Sequence, residues 1–138
     1  MKRARHRSRE AALRSLYLWE MGRTDPARAV DTFFDEHMPD APAAVRDFTR
    51  VLVLGTTSEI EAIDALIQAH SEHWRLDRLA VIDRLILRMA VWELRHQRET
   101  PPAVILNEAV ELARTFSTDD AVRFVNGVLD GIRKAMSE

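Results

Sequence analysis

Apolar residues recur along this chain at intervals of three and four, the period of an α-helix with one buried face, and no segment alternates apolar and polar positions over strand length. Ser8 is a plausible N-cap for a first helix in which Ala12, Leu13, Leu16 and Tyr17 share a side, and Gly22 suits a left-handed cap at its end. Asp25-Pro26 reads as an N-cap followed by proline in the first helical position, opening a short second helix with Val30, Phe33 and Phe34 on one face. After Pro39 and Pro42, an apolar face runs through Val45, Phe48 and Leu52 to Ile60, Ile63, Leu66 and Ile67. Thr56 and Glu59 match a capping box, which predicts two helices divided near Thr57.

Beyond a loop around His70 to Trp74, Leu79, Ile82, Leu85, Ile86, Met89, Ala90 and Leu94 predict the most apolar helix of the chain, with Asp83, Arg84, Arg88 and Arg95 on its other faces. Thr100 and Pro101 open a further helix faced by Ile105, Ala109, Leu112, Ala113 and Phe116. Ser117 and Asp120 resemble a capping pair before a last helix carrying Phe124, Val125, Val128, Leu129 and Ile132. Seven helices with short connections predict an all-α fold in a single domain spanning residues 1–138, with a basic N-terminal arm at residues 1–9. No self-similarity at the period of a solenoid is visible.

Composition adds a bias in charge. The chain of 138 residues has a formal net charge of −2, yet Lys2, Arg3, Arg5, Arg7, Arg9 and Arg14 stand against Glu10 alone in residues 1–14. That segment carries +5 and the remainder −7, a mildly acidic body with one basic end, as expected where that end meets a polyanion. The absence of cysteine excludes disulfides, a thiol nucleophile and cysteine-ligated metals, and points to a reducing cytoplasm. The basic N-terminus lacks the apolar core and cleavage site of a signal peptide. The apolar run Val51–Leu54 is far short of the roughly twenty residues that span a bilayer, so no membrane role is expected.

Catalytic motifs are missing. Glycines at 22, 55, 127 and 131 compose neither a phosphate loop nor a dinucleotide fingerprint, and there is no nucleophile elbow. His70 and His73 with Glu72 are the nearest approach to a metal-ligand cluster, but a structural zinc site wants four ligands, so they read as solvent-facing residues at a helix end. Glu59, Glu61 and Asp64 flank an apolar stripe and read as a solvated surface instead of an acid–base pair. No enzyme activity, metal or cofactor is expected.

The positive signal is the arm with its nearby aromatics. Arg5, Arg7 and Arg9, followed by Arg14, Tyr17 and Trp19, combine the phosphate-neutralising cations and π-surfaces that single-stranded RNA requires, although Tyr17 and Trp19 are equally suited to a core.

The C-terminal half is more specific. Asn107-Glu108-Ala109 within residues 105–114, and Phe124-Val125-Asn126-Gly127-Val128-Leu129, together resemble the signature of the NusB family. Residues 84–94 resemble that family's central helix, and Arg9-Glu10 with Leu16, Tyr17 and Trp19 its first. The resemblance implies an all-helical fold of two small packed bundles. It also implies transcription antitermination: binding the boxA element of ribosomal RNA leader transcripts, pairing with the small-subunit ribosomal protein NusE, and joining the RNA polymerase antitermination complex. Carried over by position, the RNA surface comprises Arg5, Arg7, Arg9, Tyr17, Asp120, Arg123 and Phe124, and Asp83 faces the protein partner. A homodimer of the free protein stays open.

The same residues have structural readings. Gly127 inside a helix costs roughly 1 kcal/mol relative to alanine, which suggests close approach of another helix. Val125, Val128 and Leu129 are core candidates, and Asn107 and Asn126 could bridge backbone groups as buried amides. Two other functions compete. One is a fragment of a ribosomal RNA cytosine methyltransferase, which would need a cofactor-binding domain and a cysteine found nowhere in this chain; the other is a helical protein-interaction module.

Overall fold

The computed structural model describes residues 2–71 and 73–137, leaving aside the Lys2 side chain. Its elements are seven α-helices and one 3₁₀ turn, with no strand among the described residues. They form two compact units, Met1–Ser58 and Glu59–Glu138, as two small bundles require.

The first unit contains α1 (Lys2–Gly22), α2 (Pro26–His37) and α3 (Ala43–Ser58). α1 starts well before Ser8, so the expected basic arm is helical from Lys2 onward. Ser8 is fully buried, and its hydroxyl, instead of capping, donates to the Val45 carbonyl of α3 at 2.9 Å. Thr49 Oγ1 donates to the same carbonyl at 2.7 Å and lies 3.3 Å from Ser8 O. Small buried residues on α1, namely Ser8, Ala11, Ala12 and Ser15, let it lie close to its neighbours while Leu13 and Leu16 fill the core. The left-handed residue ending α1 is Arg23 (φ 52°), one position after Gly22, with its N–H donating to Trp19 O at 2.9 Å. α2 begins as expected: the Asp25 carboxylate accepts the Arg28 N–H at 3.2 Å, and Pro26 occupies the first turn. Phe33 and Phe34, both buried, meet edge to face with centroids 5.3 Å apart. Arg46 fixes the link to α3 by donating to Pro39 O at 2.7 Å while its guanidinium rests 4.9 Å over the Phe34 ring.

The second unit contains α4 (Ile60–Ala69), the 3₁₀ turn Leu76–Arg78, α5 (Val81–His96), α6 (Pro102–Phe116) and α7 (Asp119–Met136). α5 packs against α4, α6 and α7 and is buried without interruption from Leu85 to Glu93. Arg88, placed by periodicity on an outer face, lies in that buried run because Asp64 of α4 accepts both arms of its guanidinium, Nε at 2.8 Å and the second nitrogen at 2.9 Å. The apolar faces of α6 and α7 are those expected, Ile105, Ala109, Leu112 and Ala113 on one and Val125, Val128, Leu129 and Ile132 on the other. Phe116 is 37% exposed and Phe124 half-buried, so neither belongs fully to the core.

Several expectations shift. The α3–α4 division falls at Ser58–Glu59, without the capping box: Thr56 is buried inside α3, and the half-buried Glu59 accepts from His96 Nε2 at 2.7 Å and Arg95 at 3.3 Å. Glu59 and Asp64 are therefore structural carboxylates, and only Glu61 of the three is a free surface residue by its exposure. The cap of α7 is Thr118, whose hydroxyl accepts the Ala121 N–H at 3.1 Å, and Ser117 instead donates to Asp83 at 2.6 Å. Asn107 and Asn126 are exposed, not buried bridges. The helix expected close to Gly127 is not found among the described residues: a Cβ there would meet nothing within 4 Å.

Two tests of this packing follow. Asp64→Ala strands the buried Arg88 charge and should cost about 3 kcal/mol in urea unfolding, whereas the double change Asp64→Ala with Arg88→Met should recover part of the loss. The His96 hydrogen bond, opposed by desolvation and aided by the charges of His96 and Arg95, holds the Glu59 carboxyl below its ordinary value of 4.5. A depressed carboxylate stabilises the fold above its unfolded value, and that stability is lost as pH falls through the folded value. Wild type should therefore lose more stability than Glu59→Gln between about pH 5 and pH 3, measured by unfolding at each pH. Parallel losses would show that the pair does not contribute.

Candidate nucleic-acid interface

Helical geometry sorts the basic residues of α1 by face. At 100° per residue, Arg3, Arg7, Glu10, Arg14, Tyr17 and Met21 fall within an arc of about 80°. Arg3, Arg7, Arg14, Tyr17 and Met21 are all exposed, and they form one stripe about 27 Å long at 1.5 Å per residue. Glu10 in its middle is occupied by His6 Nε2 at 2.9 Å. The Arg14 guanidinium lies 5.1 Å over the Phe33 ring, which steadies it without hiding it. Tyr17, 41% exposed, offers its ring beside that cation.

Arg5 and Arg9 occupy a different face. The Arg5 guanidinium stacks on Phe48 of α3 at 3.8 Å, and that of Arg9 lies 5.7 Å from the same ring. Arg9 is only 4% exposed, so unlike Arg7 it is not turned to solvent as a residue of an RNA surface would be. Arg5 is half-buried, and only Arg7 and Tyr17 of the expected N-terminal set reach the stripe. Arg14, which the sequence places near Tyr17, belongs to it, and so does Arg3, which the family resemblance does not mark. Their signal was present in the sequence: extending the helical period back from Tyr17 through Arg14, Arg7 and Arg3 predicts the stripe.

In the second unit, Asp120, Arg123 and Phe124 share a face of the first turns of α7, within an arc of about 100° that also holds Gly127. Arg123 and Asp120 pair at 2.7 Å with side chains 79% and 91% exposed, a pair that contributes little to folding and can be exchanged for another partner. Phe124 shows part of its ring beside them. Asp83, expected at a protein partner, is half-buried and already accepts the Ser117 hydroxyl, so it also fixes the turn between α6 and α7.

No group of three potential ligands suited to a metal ion occurs among the described residues. Glu72, one of the cluster considered from sequence, lies outside them. His70 is only partly exposed: its Nδ1 is 3.0 Å from Leu66 O, and its ring lies 3.3 Å from where a Cβ on Gly131 would stand. Among the described residues no helix is long and apolar enough to cross a membrane.

Comparison with known proteins gives a consistent assignment. The model of the NusB family matches residues 6–134. The transcription antitermination protein NusB of Solibacter usitatus is 39% identical over 98% of this chain and 92% of its own length. The solved NusB of T. maritima superposes with a TM-score of 0.87 at 34% identity, covering 94% of this chain and 90% of that one. A chain from a crystal structure of the antitermination factors NusB and NusE in complex with double-stranded RNA gives 0.88 at 30% identity, covering 98% and 99%.

The division of α1 into two arginine faces can be checked by stability alone. Arg5→Ala should lower stability by about 1 kcal/mol, since it removes a close cation–π contact and aliphatic packing, and Arg9→Ala should also destabilise. Arg3→Ala and Arg7→Ala should leave the melting temperature within about 1 °C of wild type. Equal melting temperatures for all four variants would contradict the packing on Phe48.

Proposed function

The chain belongs to the NusB family, and from that premise we propose that it is a cytoplasmic transcription antitermination factor that binds boxA RNA of ribosomal RNA transcripts together with NusE, keeping RNA polymerase from terminating. The observation that carries this reading is the α1 stripe, in which three exposed arginines and one exposed aromatic ring share a helix face. Arg3 and Arg7 would neutralise neighbouring phosphates, Arg14 one beyond Glu10, and Tyr17 would accept an unstacked base. Arg5 and Arg9 act from behind, holding the helix on Phe48. In the second unit, Arg123 and Phe124 repeat the same combination of cation and ring, with Asp120 as the exchangeable partner of the cation.

The protein partner is a basic ribosomal protein, and the acidic Asp83 at the start of α5 marks its surface in this reading. Its role is binding, not catalysis: the relatives are named as antitermination proteins, and the residues assembled here hold and stack a nucleic acid without activating a nucleophile.

The direct test is filter binding of boxA-like and scrambled RNA at one fixed, moderate salt concentration, with and without NusE. We expect preference for boxA, and tighter binding by the one-to-one complex with NusE. Tyr17→Ala should lose about 1–3 kcal/mol of RNA binding with the fold intact. Arg3→Ala and Arg7→Ala should each flatten the salt slope by about 0.7. Equal affinity for the two RNAs would sink the reading.

A further inference from the structure

We infer that the bare backbone at Gly127 receives an RNA ribose, whose 2′-hydroxyl donates to the carbonyl of Arg123. The inference rests on the RNA-binding reading above and narrows it to one position of α7.

α7 holds two glycines inside its span, Gly127 and Gly131. A glycine in a helix interior gives up helix stability relative to alanine, so each calls for a steric cause. Gly131 has one within the chain: its Cβ would stand 3.3 Å from the His70 ring. Gly127 has none. A Cβ there would meet nothing within 4 Å, the backbone is not left-handed, and the residue is exposed. The space left open at Gly127 serves a molecule from outside.

Side chains of a helix lean toward its N-terminus and cover the turn before their own Cα. The missing side chain at 127 therefore uncovers the Arg123 carbonyl, the helical acceptor of the Gly127 N–H, whose second lone pair is open. One turn earlier on the same face stand the exposed guanidinium of Arg123 and the half-buried ring of Phe124. A nucleotide with its phosphate at Arg123 and its base against Phe124 sets its sugar on the bare backbone. The donor that distinguishes ribose from deoxyribose then meets the open acceptor. A protein helix would want an apolar strip here, but beside the half-buried Phe124 the flanking residues Asp120, Arg123 and Asp130 are charged.

The test compares wild type with Gly127→Ala in filter binding to boxA-like RNA and to DNA of the same sequence at fixed salt. The melting temperature should rise by about 3 °C as alanine replaces glycine in the helix. RNA affinity should fall about tenfold, one hydrogen bond's worth, while DNA affinity stays within about twofold. A preference for RNA over DNA unchanged by the substitution overturns the inference, as does a loss confined to NusE binding. Single 2′-deoxy substitutions along the RNA, tested on wild-type protein, need no variant: one position should cost about tenfold, and the absence of any such position overturns the inference. Failure of wild type to prefer boxA over scrambled RNA would refute the functional reading itself. A boxA preference without 2′-hydroxyl dependence would refute only the contact at Gly127.

Discussion

The rotation of α1 about its own axis is the constraint on which the first unit's chemistry depends. A hydroxyl with no access to water must find a partner, and Ser8 finds it in the Val45 carbonyl of α3. The small buried residues of α1, at positions 8, 11, 12 and 15, continue that line down the helix. Once that face is committed to the interior, helical periodicity leaves no freedom to the rest. Arg5 and Arg9 must come to the Phe48 ring, and Arg3, Arg7, Arg14 and Tyr17 must face solvent. A buried hydrogen bond thus decides which arginines can meet a polyanion.

The second unit solves a related problem at the start of α7. A helix buried as completely as α5 cannot present a ligand surface along that stretch, so recognition is left to the ends and outer faces of the helices packed around it. The start of α7 is held by two short polar contacts. Thr118 caps the helix with its own hydroxyl, and Ser117 ties the preceding turn to Asp83 of α5. Arg123 and Phe124 then project from the second turn of a fixed helix, not from a loop, which reduces the entropy lost when a partner is bound.

Where the sequence carried a local signal, it was readable. The Asp25-Pro26 start of α2 and the apolar faces of α6 and α7 depend on residues within a few positions of one another. The misread features depend on distant partners. Ser8 suits an N-cap as well as an interhelical bond, and a carbonyl 37 residues away decides between them. Arg88 looks solvent-facing until Asp64, 24 residues earlier, accepts its guanidinium. Residues 2–7 have no apolar period, so their helix was invisible to a reading based on hydrophobic faces, although Lys, Arg and Ala are all good helix formers. Only as part of a helix do Arg3 and Arg7 share a face with Arg14 and Tyr17.

Net charge alone would not predict that this chain binds a nucleic acid, since the total is −2. At physiological ionic strength, however, exposed charges farther apart than about 8 Å are largely screened from one another. A phosphate at the α1 stripe would therefore respond most strongly to the charges within that distance. Within that local field Glu10 is a deliberate-looking exception, a carboxylate in the middle of the stripe, kept occupied by His6. It divides the stripe into Arg3 with Arg7 and Arg14 with Tyr17, and it lowers the attraction for a continuous run of phosphates. On the proposed RNA-binding reading, charge then would not supply all of the affinity, and the exposed ring of Tyr17 would supply part of the remainder. Stacking tells an unpaired base from a stacked one, so on that reading the departure from a uniformly basic helix would shift binding away from polyanions in general and toward unpaired RNA.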